Sequence, residues 1–412
     1  MLYICYLLIG ILSPEYRQNM HMAKLFIIES ITGDKIPFLR GVLVESLVRA
    51  GLSFQDAYLV AQSIRGNLED NTEITTDMLR ELASTEVRQR FGSALAKSYE
   101  QRSSRERQIM VQTSTDTDEV PFSAGILSRS LQACAIKRAD ALETAKLVHE
   151  SLQKSQTEVI DHVAHREVVY DILKAHCSQA DANRFLSWRR FKESGIPLIL
   201  LVGGITGTGK STLTTELAYL LNIVRNQSTD MMREIVRCYL PPAKIPTLSY
   251  SSFEAWRGLA EESEPAPEPT HTEVIRGFLS QFKVVKPGLE ATIYRAVKEN
   301  HNLIVDGVHV LPWKLELDIA RDQAIVIPLM LVVSRKKTLG KRLKKREEEQ
   351  PERDSSRYLK QLEQIWLLQS YLIMEAEEHK IPLIFNVDIE EALGEILMHI
   401  SDTIIQRFPA RS

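Results

Sequence analysis

The sequence predicts an α/β fold, with a parallel five-stranded sheet and flanking helices preceded by two small tandem α/β modules. Three observations carry that expectation. Apolar runs of strand length alternate with helical patterns through the second half of the chain, the order that builds parallel sheets. The first of these runs, Leu198–Val202, leads into a glycine-rich turn reading GGITGTGKST. Upstream, two stretches repeat one another at a constant offset.

With 412 residues the chain has room for several domains. Lys plus Arg number 51 against 54 Asp plus Glu, a near balance that argues against nucleic-acid or membrane-surface binding. The cysteines, Cys5, Cys134, Cys177 and Cys238, are scattered with no C-x-x-C spacing. That points away from a zinc site or a disulfide framework and suits a reducing cytoplasm. The opening residues, MLYICYLLIGILS, are apolar but fall short of the ~20 positions a membrane helix needs, and no Lys or Arg precedes them as in an export signal. Residues 1–22 are therefore expected to be an extension, either an over-long gene start or a disordered segment. A membrane or export signal and a packed first helix are the alternatives.

The repeated stretches are KLFIIESITGDKIPFLRGVLVESL, from Lys24 to Leu47, and RQIMVQTSTDTDEVPFSAGILSRSL, from Arg107 to Leu131. Pro37-Phe38 matches Pro121-Phe122, Gly41 matches Gly125, and Leu43 matches Leu127. Each copy begins as a hairpin and continues as helices, over 39–49 and 53–65 in the first and 125–134 and 139–152 in the second. Between them Gln101–Arg107, QRSSRER, reads as a polar break. The pattern resembles the ATP-cone, a small regulatory nucleotide-binding module, over roughly residues 23–190. That module usually carries basic residues in its first hairpin and after the Phe. Here the second hairpin has no cation, and Ala124 stands where the first copy has Arg40. A structural role, with the chain self-associating as a homo-oligomer through these modules, is the alternative to nucleotide sensing.

Gly204–Ser211 fits G-x-x-x-x-G-K-[ST], a loop whose main-chain N–H groups cradle phosphates. The helix expected over Ser211–Leu221 turns its positive end toward the same anions. Gly204, Ile205, Thr206, Gly207, Thr208, Gly209, Lys210, Ser211 and Thr212 are thus candidates for binding a nucleoside triphosphate, with Lys210 on the β- and γ-phosphates and the Ser211 hydroxyl on Mg²⁺.

A second strand, around Asn222–Gln227, leads into Ser228-Thr229-Asp230-Met231-Met232-Arg233. Strand ends line the ligand crevice in such sheets. Asp230 there would orient and deprotonate an acceptor hydroxyl, and Arg233 would clamp an anionic acceptor. A helix-capping Asp230 with Arg233 on the surface is the other reading. From Ile275 a helical pattern runs on with a break expected at Lys286-Pro287-Gly288, and Arg276, Gln281, Lys283, Lys286 and Arg295 are candidate anion contacts or simply a solvated face.

Asn302–His309, NLIVDGVH, is an apolar strand ending in an acid. Asp306 is the candidate to hold Mg²⁺ with Ser211, directly or through water; a turn-forming Asp-Gly pair is the alternative. His309 is either a contact for the acceptor phosphate or a structural histidine. A fourth strand covers Ala324–Val333. Ser334–Arg353 is densely cationic, and Arg335, Arg342, Arg346 and Arg353 fall at helical spacings. This reads as a lid over the γ-phosphate or as an exposed salt-bridged helix. A long amphipathic helix, Tyr358–Glu378, precedes a last strand, Pro382–Val387, with Asn386 and Asp388 at its end on the adenine side.

The segments PFSAGILSRSL, GGITGTGKST, STDMMRE, LSYSSFEAW, IRGFLSQ, LIVDGVHVLP and RYLKQLEQIWLLQSYLIMEAEEHKIPLIFN together resemble the 2-phosphoglycerate kinase family, which places an ATP-cone-like module before a P-loop kinase domain. The resemblance implies transfer of the ATP γ-phosphoryl to the free hydroxyl of a small phosphorylated acid, 2-phosphoglycerate, giving 2,3-bisphosphoglycerate; a regulator that binds ATP and transfers nothing is the alternative from another class. Lys210 and Ser211 would serve ATP-Mg²⁺, and Asp230 and Arg233 would face the acceptor; on the lid reading of Ser334–Arg353, Arg342 and Arg346 would neutralise developing charge. Ser249, Phe253 and Asp306 stand where the family usually has His, Tyr and often Glu, which leaves another phosphorylated acid or polyol, inositol phosphates included, open as acceptor. The expected organisation is an extension (1–22), two ATP-cone-like modules (23–106 and 107–190) and a P-loop kinase domain (191–412), in a cytoplasmic protein.

Overall fold

The computed structural model describes residues 25–410, apart from 29–34, 39, 69–72, 106–108, 113–118, 156–158, 242, 260–267 and 350–355. The expected extension over 1–22 lies outside the described residues. The chain divides into two compact units, Met1–Ile109 and Met110–Ser412.

In the first unit β1 (Phe26–Ile28) and β2 (Lys35–Pro37) form an antiparallel hairpin, and α1 (Arg40–Arg49) and α2 (Phe54–Asn67) follow. Then β3 (Glu73–Thr75) returns parallel to β1, and α3 (Thr76–Phe91) and α4 (Ser93–Arg105) complete the unit. Ser53 and Thr75 cap α2 and α3, each hydroxyl accepting from the N–H three residues on. The polar break expected from Gln101 is instead the last turns of α4, which runs to Arg105. Packing overrides the weak local pattern there. Ala96 and Tyr99 join a core with Leu47, Ile64 and Val87, and Glu100 accepts from Ser84 and Arg88 of α3.

The second unit opens with the same order: β4 (Met110–Gln112), β5 (Glu119–Pro121), α5 (Ala124–Ala133), α6 (Arg138–Lys154), β6 (Val159–Ile160), α7 (His162–His176) and α8 (Gln179–Ser194). The sheet orders β2-β1-β3 and β5-β4-β6 correspond, and so does the register, Phe26 facing Pro37 as Met110 faces Pro121.

The large sheet follows: β7 (Leu198–Gly203), α9 (Lys210–Leu221), β8 (Arg225–Ser228), α10 (Thr229–Tyr239), two 3₁₀ turns (Pro246–Ser249 and Ala255–Leu259), α11 (His271–Lys298), β9 (Leu303–Gly307), α12 (Asp318–Gln323), β10 (Ile325–Val332), α13 (Lys336–Glu349), α14 (Ser356–Lys360), α15 (Leu362–Glu378), β11 (Leu383–Phe385) and α16 (Ile389–Arg407). α8 is packed on α16, with Trp188 Nε1 donating to Ser401 Oγ at 2.9 Å.

The strand order is β11-β10-β7-β9-β8, parallel throughout. β7 is buried along its whole length, as a central strand covered on both faces must be. The edge strand β8, RNQS, is polar, and it starts at Arg225 because Asn222 takes a left-handed φ of 55° to close α9. Lys286-Pro287-Gly288 breaks nothing: α11 is continuous over 28 residues. Phe278, Phe282, Val285, Leu289 and Ile293 keep one apolar stripe buried across Pro287, whose ring faces solvent. The long helix expected from Tyr358 is divided at Gln361 into α14 and α15. From β7 the chain goes to β8 and β9 on one side and then to β10 on the other, so the loop after β7 sits at the switch point where parallel sheets bind ligands.

Candidate functional site

The glycine-rich loop leaves β7 with Gly204, Gly207 and Gly209 all at positive φ. Gly209, at φ 92°, is the residue before α9, and a β-carbon there would stand 2.5 Å from Asn386 Nδ2. That closeness has a use: Asn386 Nδ2 donates to Thr208 O at 2.7 Å, stitching the loop to the end of β11. Arg342 of α13 adds bonds to the same Thr208 O at 3.2 Å and to Asn386 O at 2.6 Å. Arg342 is thus seated on the nucleotide loop and β11, and burial draws its pKa down. Leu339 and Leu343 are buried beside Gly207, so the first turns of α13 are fixed to the loop. Asp388, the other residue expected on this side, caps α16. The side chain of Arg346 and all of Arg353 lie outside the described residues, and Arg335 is exposed.

Within the loop, Ile205 is buried, and its carbonyl accepts from Thr208 Oγ1 at 3.0 Å and Lys210 Nζ at 2.6 Å. Ser211 and Thr212 form the exposed first turn of α9, where main-chain N–H groups have no partner within the helix. Thr206 and Gly207 are half-buried at the tip.

Asp306 is the fourth residue of β9, paired in register with Val202 of β7 and Ser228 of β8. It is a strand residue and not a turn. Gly307 after it, at φ 145°, lets α10 close in, since a β-carbon there would stand 1.8 Å from Thr229 Oγ1. The Asp306 carboxyl is 7% exposed, and its pKa is raised by burial and by Asp230, against the pull of Lys210.

Asp230 follows β8 directly and is exposed in the first turn of α10. The cap is Ser228, whose hydroxyl accepts from Asp230 N at 3.2 Å. Arg233, one turn on, is no free surface residue. Its Nη1 donates to Tyr250 O at 3.2 Å and its Nη2 to Glu234 at 2.8 Å, while its buried Nε has no partner among the described residues.

His309 is fully buried, its Nε2 2.8 Å from Gln281 Oε1. Burial brings its pKa down to about 4; Asp230 opposes that shift, and Arg233 and Lys210 reinforce it. Four charged groups from the sequence reading, Lys210, Asp230, Arg233 and Asp306, therefore act on one another or on His309 at the C-terminal ends of β7, β8 and β9. Gln281 is corrected from anion contact to core residue, for it is fully buried and bonded within the protein. Its position on the apolar stripe of α11 was the available signal. Lys286 pairs with Glu316 and Glu290, and Arg295 with Glu299; Arg276 and Lys283 are exposed. Phe253 is buried against Tyr358, while Ser249 is exposed in its 3₁₀ turn.

A phosphate loop at the switch point of a parallel sheet, with one acid near the end of β9 and another just past the end of β8, defines a P-loop phosphotransferase. Residues 200–363 match the family described as AAA domain. Among similar proteins, the 2-phosphoglycerate kinase of Pyrococcus furiosus is 34% identical over 287 residues, covering 70% of this chain and 91% of that protein. The 2-phosphoglycerate kinase of Methanopyrus kandleri is 33% identical over 291 residues, covering 70% and 86%. That of Methanocaldococcus jannaschii is 31% identical over 286 residues, covering 69% and 89%. The chain belongs to the 2-phosphoglycerate kinase family.

Proposed function

We propose that the chain transfers the γ-phosphoryl group of ATP to the free hydroxyl of 2-phosphoglycerate, giving 2,3-bisphosphoglycerate. The observation that carries this reading is the placement of Asp306 in register with Val202 of β7 and Ser228 of β8, which brings it to the same end of the sheet as the phosphate loop with Lys210 and the first turn of α10 with Asp230. The relatives, as 2-phosphoglycerate kinases, supply the acceptor.

The loop from Gly204 to Thr212 grips the triphosphate through its main-chain N–H groups, and Lys210 neutralises the β- and γ-phosphates. Asp230 accepts the hydroxyl proton as the acceptor oxygen bonds to the γ-phosphorus and the bond to the β,γ-bridging oxygen breaks. Arg233 holds the acceptor's anionic group, and Arg342 and Arg346 offset charge on the nucleotide.

Ser211 and Asp306 are the residues to hold Mg²⁺. Asp306 is a buried carboxyl with its pKa raised by desolvation and a second acid, an environment that favours a divalent cation. Magnesium uses one or two protein oxygens beside substrate phosphates, a demand that one carboxylate and one hydroxyl meet. When bound, the ion screens the phosphoryl oxygens.

The correspondence of strand order and register supports two ATP-cone-like modules, over 23–106 and 107–190, ahead of a kinase domain over 191–412. Among the described residues no helix is long and apolar enough to cross a membrane, which is compatible with a cytoplasmic enzyme acting on a small molecule.

A coupled ADP-release assay over 2-phosphoglycerate, other phosphorylated acids and inositol phosphates tests the proposal, with the fastest turnover expected on 2-phosphoglycerate. Background turnover there with release on another acceptor would replace the substrate and keep the class. ATP binding with no acceptor-stimulated release would leave a nucleotide-dependent regulator.

A further inference from the structure

Gln281 sits on α11 between Phe278 and Phe282, a fully buried amide in an apolar stripe. Its Nε2 donates to two main-chain carbonyls, Thr247 O at 2.7 Å and Tyr250 O at 3.0 Å. Both amide hydrogens are engaged, and Oε1, 2.8 Å from His309 Nε2, is left to accept. The reversed amide would turn its oxygen toward two carbonyl oxygens and lose both bonds, so the network fixes which way round it lies.

His309 Nε2 must then carry the hydrogen. A neutral imidazole has only one, so Nδ1 is a bare acceptor, buried and without a partner among the described residues. Phe278 stacks on the ring with centroids 5.7 Å apart and planes 29° apart, which holds its orientation. The Tyr250 carbonyl that accepts from Gln281 also accepts from Arg233 Nη1. One amide thereby sets the form of His309, the placement of the turn ending at Tyr250, and the seat of Arg233. Two complementary groups remain unmatched, the bare Nδ1 of His309 and the Nε of Arg233, and Arg233, Asp230 and Lys210 all act on His309. An O–H beside an anionic oxygen is the pair of groups complementary to these two atoms, and a phosphorylated hydroxy acid carries that pair.

We propose that Gln281 is a positioning residue for the acceptor: its amide keeps His309 in the Nε2–H form, leaving Nδ1 as a bare acceptor for an O–H of a phosphorylated hydroxy acid, and steadies the carbonyl on which Arg233 rests. The inference rests on the acceptor reading given above.

The test uses the full chain labelled with ¹⁵N-histidine, with 2-phosphoglycerate as probe. In the unliganded wild type, Nε2 of His309 should resonate in the protonated range and Nδ1 in the unprotonated range at neutral pH, and Nδ1 should move when the probe binds. Gln281→Leu should raise the KM for 2-phosphoglycerate about tenfold while the KM for ATP changes less than about twofold. Gln281→Glu, close in shape, accepts from Nε2 but donates to neither carbonyl, and its negative charge draws a proton to Nδ1. The acidic limb of its kcat/KM profile for 2-phosphoglycerate should therefore move to higher pH. An Nδ1–H imidazole in the active wild-type enzyme overturns this inference alone. So do equal changes in the two KM values for Gln281→Leu, or an unmoved acidic limb for Gln281→Glu. Background turnover of 2-phosphoglycerate by the wild type would overturn both this inference and the acceptor on which it rests.

Discussion

On the β11 side of the phosphate loop, polar groups are engaged with the loop itself: Asn386 and Arg342 both donate to Thr208 O. On the β8 side, the Nδ1 of His309, the Nε of Arg233 and the hydroxyls of Thr229 and Thr247 are buried without partners among the described residues. Buried polar atoms ordinarily find partners, so an accumulation of unmatched ones marks where a ligand completes the protein. On the function proposed above, the first side shapes the loop and the second receives the acceptor. Asn386 Oδ1 is unmatched as well, so the contrast between the two sides is one of degree.

The comparison breaks most sharply at its shared centre. Lys210→Ala should lower turnover on the order of 10³-fold or more in the ADP-release assay, by removing the cation from the triphosphate. Asp230→Asn, on the acceptor side, should cost roughly 10²- to 10⁴-fold in kcat while nucleotide binding, followed by calorimetry, stays unchanged. Arg342→Ala, on the other side, should raise the KM for ATP about tenfold and leave the acceptor KM alone, because it loses one charged hydrogen bond to the loop, at Thr208 O, and one to Asn386 O, whose side chain holds the same loop. If Asp230 and Arg342 substitutions moved the same parameter, the two sides would not be functionally distinct.

The smallest effect is on stability. Burial holds the pKa of Asp306 above its unfolded value, so its ionised form costs more in the native state than in the unfolded chain. Asp306→Asn should therefore raise the urea midpoint at neutral pH while lowering activity, and the gain should vanish at acid pH as the native Asp306 becomes protonated. His309 works the other way: with its pKa lowered from 6.5 to about 4, native stability falls as pH drops through that window, since the unfolded state takes up the proton first. His165 in α7 is lowered to about 4 as well, so His309→Gln should flatten this fall without removing it.

Much of the loop was legible because its chemistry demands particular residues at fixed spacing: glycines for positive φ, then Lys210 and Ser211. Asp306 was legible because an apolar run ending in an acid is what a buried strand meeting a polar crevice looks like. Local rules failed where packing from afar decided the outcome. Pro287 suggested a break, but the apolar stripe on either side keeps α11 whole. Gln101 to Arg105 has no period of its own and is helical because α3 supports it. The partners of Arg342 and Gln281 were invisible in sequence, since they are main-chain carbonyls brought close only by the fold.

The bond between Trp188 and Ser401 bears on how the catalytic part is to be isolated. Trp188 and Phe191 belong to α8, and they rest on Ser401 and Phe408 near the far end of the chain. A recombinant fragment beginning at residue 191 would strip the indole from Ser401 and leave an oily face on α16 open to water, inviting precipitation. The seam that respects the packing falls at Ile109–Met110, so a fragment meant to stay soluble should begin there and carry the second hairpin module with it.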